Sequence, residues 1–323
     1  MQIATFGGGA VKGLTSQTAI ACPICRSHRR EDYIVVGKGE RRLDEGLEEF
    51  AILRCRRHHV EFADALPDSS NVDDVDSIDQ MYGSSADSGS RSRYVDFMDR
   101  VEDVVGAAAG TLHDVGCGNG QLLIEARRRG WRVRGNDIAA GVKDRLGRDE
   151  ITCLRGPLST LAIPAESCDV LTSFCVLPHH AADPNPDMRA AWRMLRPGGW
   201  FVLQLPANGV YRRTAKTFYS VCWPAHPTRL ARRILGEIYR PGGHQFGYTS
   251  ENLTHYLHEC GFGDVLIRPY AAAARYTLAR FSGEPAWRRC VASIAVHTMK
   301  FASEVLHLPN HSIVYARKPT SLT

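Results

Sequence analysis

Three groupings of residues in this chain have the types and spacing to do chemistry. The first is Leu112-His113-Asp114-Val115-Gly116-Cys117-Gly118-Asn119-Gly120, an apolar run with an acid that breaks into alternating glycines. Glycines so placed admit positive φ and let a ligand approach bare backbone. The second is Cys22-Pro23-Ile24-Cys25, answered about thirty residues later by Cys55-Arg56-Arg57-His58-His59. Three thiolates and one imidazole in two facing knuckles suit a tetrahedral Zn²⁺ whose positions are all filled by protein, which is a structural site. The spacing leaves His58 and His59 both open as the fourth ligand. The third grouping is histidine: His179-His180 beyond an apolar run, and His244 inside Gly243-His244-Gln245-Phe246-Gly247-Tyr248. An imidazole near a reacting group can take a proton or orient a nucleophile.

The glycine run narrows its own ligand. A dinucleotide fingerprint needs G-x-G-x-x-G, but here the glycines fall at 116, 118 and 120 and Gln stands at 121. No Gly-Lys-Ser or Gly-Lys-Thr follows, which excludes a phosphate-binding P-loop. Asp114 ahead of the glycines would repel a pyrophosphate and welcome a cation. A nucleoside carrying positive charge and no phosphate meets these conditions. S-adenosylmethionine (SAM), with an ammonium and a sulfonium, is such a molecule.

These residues must be positioned by a scaffold, and the chain alternates strand and helix patterns that imply a doubly wound α/β fold. Leu112–Val115 reads as a strand and Gln121–Arg129 as the helix it launches, with unpaired N–H groups at its start. Further strands are expected at 131–137, 151–154, 169–174, 200–205, 264–270 and 312–317, giving a mostly parallel seven-stranded sheet. Helices are expected at 94–105, 186–195 and 250–260, the last capped by Ser250 and stopped by Gly261. The helix over 94–105 should close over the glycine cradle. Tyr33–Val36 and Glu49–Leu53 are expected to pair as a hairpin between the knuckles. Residues 67–92 are acidic and rich in Ser and Gly, as a linker would be. Two insertions interrupt the alternation. Asn208–Gly247 is rich in aromatics and arginine, as a lid over a substrate could be. Ala271–Asn310 sets Trp287, Val291, Ile294, Phe301, Val305 and Leu308 on one helical stripe, suited to covering core or a dimer surface.

With these motifs in hand, Asp114-x-Gly116-x-Gly118-x-Gly120 resembles motif I of class I SAM-dependent methyltransferases. Asp137, about twenty residues on, is similar to that family's acid for the adenosine ribose hydroxyls. Gly156-Pro157-Leu158 occupies the loop that in the family holds adenine, without the acid commonly found there. Ser167-Cys168-Asp169-Val170-Leu171 is similar to the "FDvv" strand and Leu195-Arg196-Pro197-Gly198-Gly199 to the "LkPGG" turn. The resemblance implies cofactor contacts at Asp114, Gly116, Cys117, Gly118, Asn119, Gly120, Asp137, Ile138, Gly156, Pro157, Leu158 and Phe174. It implies a base or orienting residue among His179, His180 and His244. The knuckles, with Phe62-Ala63-Asp64, Met81-Tyr82-Gly83 and the stretch from Gly243 to Leu253, resemble a bacterial subgroup with an amino-terminal zinc ribbon. In that subgroup the second knuckle is usually CxxC followed by Gly, whereas here it is Cys55-x-x-His58-His59.

The expected organisation is a tail at 1–18, a zinc-ribbon-like module at 19–66, a linker at 67–92 and a methyltransferase domain at 93–323. Ten scattered cysteines make no disulfide framework, so a reducing cytoplasm is expected. No stretch nears the ~20 apolar residues of a membrane span, so stable membrane insertion is not expected. A net charge of +5 is too small to argue for a nucleic-acid partner. The leading expectation is a SAM-dependent methyltransferase acting on a small metabolite, sugar or natural-product intermediate, with SAM and structural zinc and with a homodimer as one arrangement. The alternatives are a ribosomal RNA base methyltransferase, which the Cys55-x3-His59 spacing and the arginines suit, and a SAM-fold binding protein without catalysis.

Overall fold

The computed structural model describes residues 18–43, 46–66, 88–106, 110–179, 183–206, 239, 244–270, 285–305 and 311–320. Residues 1–17 of the expected tail, 67–87 of the linker, most of the insertion at 208–247 and residues 271–284 and 306–310 of the second insertion lie outside these residues, as does His180.

Two sheets organise the chain. The small one is antiparallel, in the order β1 (Tyr33–Leu43), β2 (Gly46–Cys55), β3 (Glu61–Ala63) and β9 (Phe246–Gly247). The expected hairpin is therefore present and longer than its apolar patches suggested, with Tyr33 opposite Cys55 and a bulge between Val35 and Gly37. The large sheet has seven strands. It contains β4 (Thr111–Val115), β5 (Arg132–Asp137), β6 (Thr152–Arg155), β7 (Cys168–Phe174), β8 (Leu195–Pro206), β10 (Val265–Tyr270) and β11 (His311–Arg317). Their order is β10-β11-β8-β7-β4-β5-β6. Pairs among β4 to β8 are parallel, and β11 runs antiparallel to both β8 and β10. The chain moves outward from β4 to β6 and returns to the other side of β4 at β7. That reversal opens a crevice at the carboxyl ends of β4 and β7, where open α/β sheets collect ligands.

Helix α1 (Ser88–Val105) starts earlier than its apolar pattern, and Tyr94, Phe97, Met98 and Val101 are its buried face. It is fastened to α2 (Gln121–Arg128) by Arg129, which donates to Asp99 (2.7 Å), Glu102 (2.9 Å) and Glu125 (3.0 Å). Helix α3 (Val142–Arg148) follows β5, and α4 (Asn185–Met194) precedes β8. The Pro197-Gly198-Gly199 run is not a free turn. It forms a bulge within β8, where pairing with β7 jumps from Cys168–Leu195 to Val170–Trp200. Gly198, at φ +79°, makes the bulge feasible. Helix α5 (Ser250–Glu259) is capped by Thr249 and not by Ser250. The Thr249 hydroxyl accepts from Asn252 N–H and the Asn252 side chain accepts from Thr249 N–H, a reciprocal box that Ser250, already helical, cannot form. Helix α6 (Ala286–Val305) leaves Trp287, Ile294 and Phe301 exposed, so these members of the expected stripe do not cover core in the single chain. No helix among the described residues is long and apolar enough to cross a membrane.

The small sheet is packed into the main core. Rings run in contact from Tyr33 through Phe62, Phe246 and Tyr248 to Tyr256 of α5. Asn185, buried at the start of α4, donates to Pro23 C=O (2.9 Å) and accepts from Tyr256 O–H (3.2 Å). Removing it strands two buried polar groups, each costing about 1–3 kcal/mol. Asn185→Ala is therefore expected to lower unfolding free energy by about 2–4 kcal/mol in chemical denaturation. A loss under about 0.5 kcal/mol would show that this link holds nothing.

Candidate functional site

At the end of β4 the backbone turns through Gly116 (φ +66°), Gly118 (φ +52°) and Gly120 (φ +76°) before α2. Glycine at 120 is required twice over, since an added Cβ would also lie 2.0 Å from Leu146 Cδ2. Gly116 and Cys117 N–H both donate to Asn136 C=O, at 2.8 and 3.0 Å, which ties the turn to β5. Asn136 donates to Gly156 C=O (2.9 Å) and takes a hydrogen bond from His113 Nε2 (2.9 Å). Burial holds the His113 imidazole down to about 4, so it serves as a neutral strut between β4 and β5.

Two acids meet at this turn. Asp137 accepts from Gly118 N–H and from Ala139 N–H, both at 2.8 Å. Asp114 is 2% exposed and accepts from the Thr172 hydroxyl at 2.7 Å. Burial pushes its carboxyl up to about 7; the Thr172 hydrogen bond opposes that rise and the nearby Asp137 charge adds to it. A buried acid beside a second acid attracts a cation and repels phosphate, as the sequence implied.

The remaining predicted cofactor residues divide. Ile138, next to Asp137, is exposed to 54%, an unusual state for a large apolar side chain beside a cleft. Gly156 (φ +136°) lies close by, its N–H on Asp137 C=O (2.8 Å), and Pro157 is exposed. Leu158 is buried in the main core and lines a small cavity with Val115, Ser173 and Val176. Cys117 and Asn119 are buried, and the Cys117 thiol packs 3.7 Å from Cys153 Sγ. The Phe174 ring sits between Tyr94 and Phe97, with the Arg93 guanidinium 5.1 Å from its centroid.

On the far side of the crevice, β7 runs out into Cys175, whose φ is +61° and whose N–H donates to Gln204 C=O at 2.7 Å. Its Sγ lies 3.5 Å from His244 Nε2 and 3.8 Å from His179 Nε2, and the two imidazole rings stand 4.7 Å apart. Two of the three predicted histidines are thus brought together, around a cysteine that the sequence reading passed over. Burial pushes the Cys175 thiol up to about 12, with Arg93 acting against it, and holds His244 below its ordinary value. His311, held down to about 4 by burial and by His244, lies within 3.4 Å of the Gln204 side chain. Sequence reasoning also missed Arg93, although a basic residue just ahead of the α1 stripe was a usable pointer.

The knuckles converge separately. Cys25 and Cys55 Sγ are 3.7 Å apart, and His58 Nδ1 is 3.7 Å from Cys55 Sγ and 3.8 Å from Cys22 Sγ. A zinc tetrahedron with Zn–S of about 2.3 Å and Zn–N of about 2.1 Å has S···S edges of about 3.8 Å and S···N edges of about 3.6 Å. These three edges match that figure, and all four donors lie within 4.8 Å of one another. His59 is exposed, has φ +56° and hydrogen-bonds through its backbone to Cys55 C=O, so the grouping uses His58.

Residues 113–203 match the family model for a methyltransferase domain. A methyltransferase of the fungus Claviceps purpurea is 40% identical over 97 residues, 28% of this chain and 30% of that protein. The methyltransferase gedG of Aspergillus terreus is 35% identical over 96 residues, again 28% and 30%. The chain thus spans about 30% of the length of the curated relatives it matches. Among solved structures, phosphoethanolamine N-methyltransferase 2 of Haemonchus contortus with SAM aligns over 76% of this chain and 57% of its own, at 15% identity and TM-score 0.49. Geranyl diphosphate C-methyltransferase of Streptomyces coelicolor aligns over 75% and 86%, at 15% identity and TM-score 0.48. The sheet order, the glycine turn and the matched segment together define a class I SAM-dependent methyltransferase fold.

The Asp114 environment has a measurable consequence for the ligand-free protein. Its carboxyl titrates near 4 in an unfolded chain and at about 7 when folded. A raised folded value means that the stability it confers is full below about pH 4 and is lost as pH rises through about 7, amounting to about 4 kcal/mol. Asp114→Asn lacks this loss. Without ligand it is expected to be the more stable form at pH 8 in urea titrations, with the difference shrinking toward pH 4. A pH-independent difference would contradict the buried-acid account.

Proposed function

We propose that the protein is a SAM-dependent methyltransferase acting on a small-molecule acceptor, with zinc fixing its amino-terminal ribbon. The observation that carries this reading is the pair Asp114 and Asp137 at a glycine turn on the reversal point of the sheet. In this reading Asp114 holds the ligand's ammonium group and Asp137 the ribose hydroxyls. Ile138 supplies an apolar edge for the base, and the Gly156–Pro157 backbone supplies polar contacts. When bound, SAM supplies an electrophilic methyl group on a positively charged sulfur.

The work left to the protein is chiefly placement, because in-line displacement depends on alignment of nucleophile, methyl and sulfur. The acceptor enters opposite the cradle, beside Cys175, His179 and His244. His179 is the residue we assign to orient the acceptor or receive its proton, with His244 as its neighbour. Cys22, Cys25, Cys55 and His58 hold the structural zinc. Its role is to fix the knuckles against α4 and α5, where Pro23 meets Asn185 and the His58 ring stacks on His255.

Titration calorimetry with SAM is expected to show one site, weakened tenfold or more by Asp137→Ala, equivalent to about 1.4 kcal/mol or more. No binding to the wild-type chain would end the methyltransferase reading. Incubation with methyl-labelled SAM is expected to label a small-molecule extract and not total RNA. Labelling of RNA alone would transfer the proposal to a nucleic-acid acceptor.

A further inference from the structure

We propose that Cys175, His179 and His244 form a second metal site, open on one side and suited to a zinc-class divalent cation. The three donor atoms lie within 4.8 Å of one another. The two S···N separations, 3.5 and 3.8 Å, bracket the edge of about 3.6 Å that a tetrahedral thiolate–imidazole zinc centre requires.

Several features set this grouping apart from a chance polar contact. His244 lies 69 residues beyond Cys175 in the chain, so folding and not local sequence brings them together. Cys175 holds a positive φ that a side chain seldom adopts, and its N–H is fixed on β8 by Gln204 C=O. A thiol can meet both imidazoles only as weak donor to one and weak acceptor from the other, whereas a cation engages both nitrogens and the sulfur strongly. Three protein ligands also leave a fourth position, the pattern of catalytic zinc sites, in contrast to the four ligands of the ribbon.

The site borders the cradle. Val176, the residue after Cys175, lies so close to Gly116 that a Cβ on that glycine would stand 2.4 Å from Val176 Cγ2. An acceptor bound through the fourth position would therefore meet the methyl donor. The class this favours is a hydroxyl or thiol compound, because coordination to the ion acidifies such a group. The acceptor's X–H bond breaks and its proton leaves to solvent. The X–C bond forms as the C–S⁺ bond breaks, and the sulfur departs as a neutral thioether. Both imidazoles are then committed to the ion, so of the two roles assigned to His179 above, orienting the acceptor is the one this site retains. This use of the ion rests on the methyltransferase reading above; its binding does not.

The test uses the full chain, dialysed against Zn²⁺, freed of excess and counted by elemental analysis, with Co²⁺ absorption as a second readout. About two ions per chain are expected. Cys175→Ala and His244→Ala should each lower the count by about one with an unchanged circular dichroism spectrum, and Cys22→Ser should remove the other ion. His179→Gln, a conservative change, keeps the test readable where burial of Cys175 prevents folding of its variant. It should weaken retention of the second ion against a chelator tenfold or more. Wild-type metal content in Cys175→Ala, His244→Ala and His179→Gln would overturn the site. SAM calorimetry on the wild type separates the two proposals. A second ion without SAM binding removes the methyltransferase reading alone, and SAM binding without a second ion removes the metal site alone.

Discussion

Asp114 lies directly opposite Thr172 in the parallel pairing of β4 with β7 and opposite Gly135 in the pairing with β5. That register decides the chemistry of the crevice. It gives the acid one hydroxyl partner and a glycine neighbour, in a place where burial drives its carboxyl to about 7. Gly135 has to lack a side chain, because a Cβ there would meet Cys117 Cβ and Leu123 Cδ1 at 2.9 Å. The turn can therefore fold back over β5 and bring Gly118 N–H to Asp137. The cleft's preference for a cation follows from strand register as much as from the identity of the acids.

The amino-terminal small sheet has a part in the same crevice that its sequence position conceals. Strand β3 pairs with β9, setting Phe62 opposite Phe246, two residues after His244. Gln245 is clamped beside it, its amide donating to Ala63 C=O (2.6 Å) and Ala65 C=O (3.2 Å). His244 is thus carried to Cys175 by a strand that, among the described residues, pairs with β3 in the small sheet. The small sheet fixes β9, and the residues leading into β9 present an imidazole to the crevice. In this way a segment far from the glycine turn in sequence helps to shape the crevice.

Much of this was legible in the chain. Strand and helix periodicity located the central strands to within a residue or so at most ends, because buried parallel strands are short apolar runs bounded by glycine and acid. The glycine spacing and Asp137 placed the cradle. What escaped were features set by tertiary pairing. The spacing offered both His58 and His59, and the approach of His58 Nδ1 to Cys55 and Cys22, with the turned backbone at His59, separates them. Cys175 carries no motif, and its importance appears once β9 delivers His244. The Thr249 cap was missed because Ser250, an equally good capping residue type, stands next to it.

With its carboxyl pushed up to about 7 by burial, Asp114 is expected to be largely protonated at pH 6.5 while the cradle is empty and ionised once a cation is bound. Calorimetry of SAM binding at pH 6.5, repeated in buffers of different ionisation enthalpy, measures that change as protons released. With a carboxyl at about 7 in the free protein, release of most of one proton per SAM is predicted, and none in Asp114→Asn. Binding with no proton release in the wild type, or with equal release in both proteins, would contradict it.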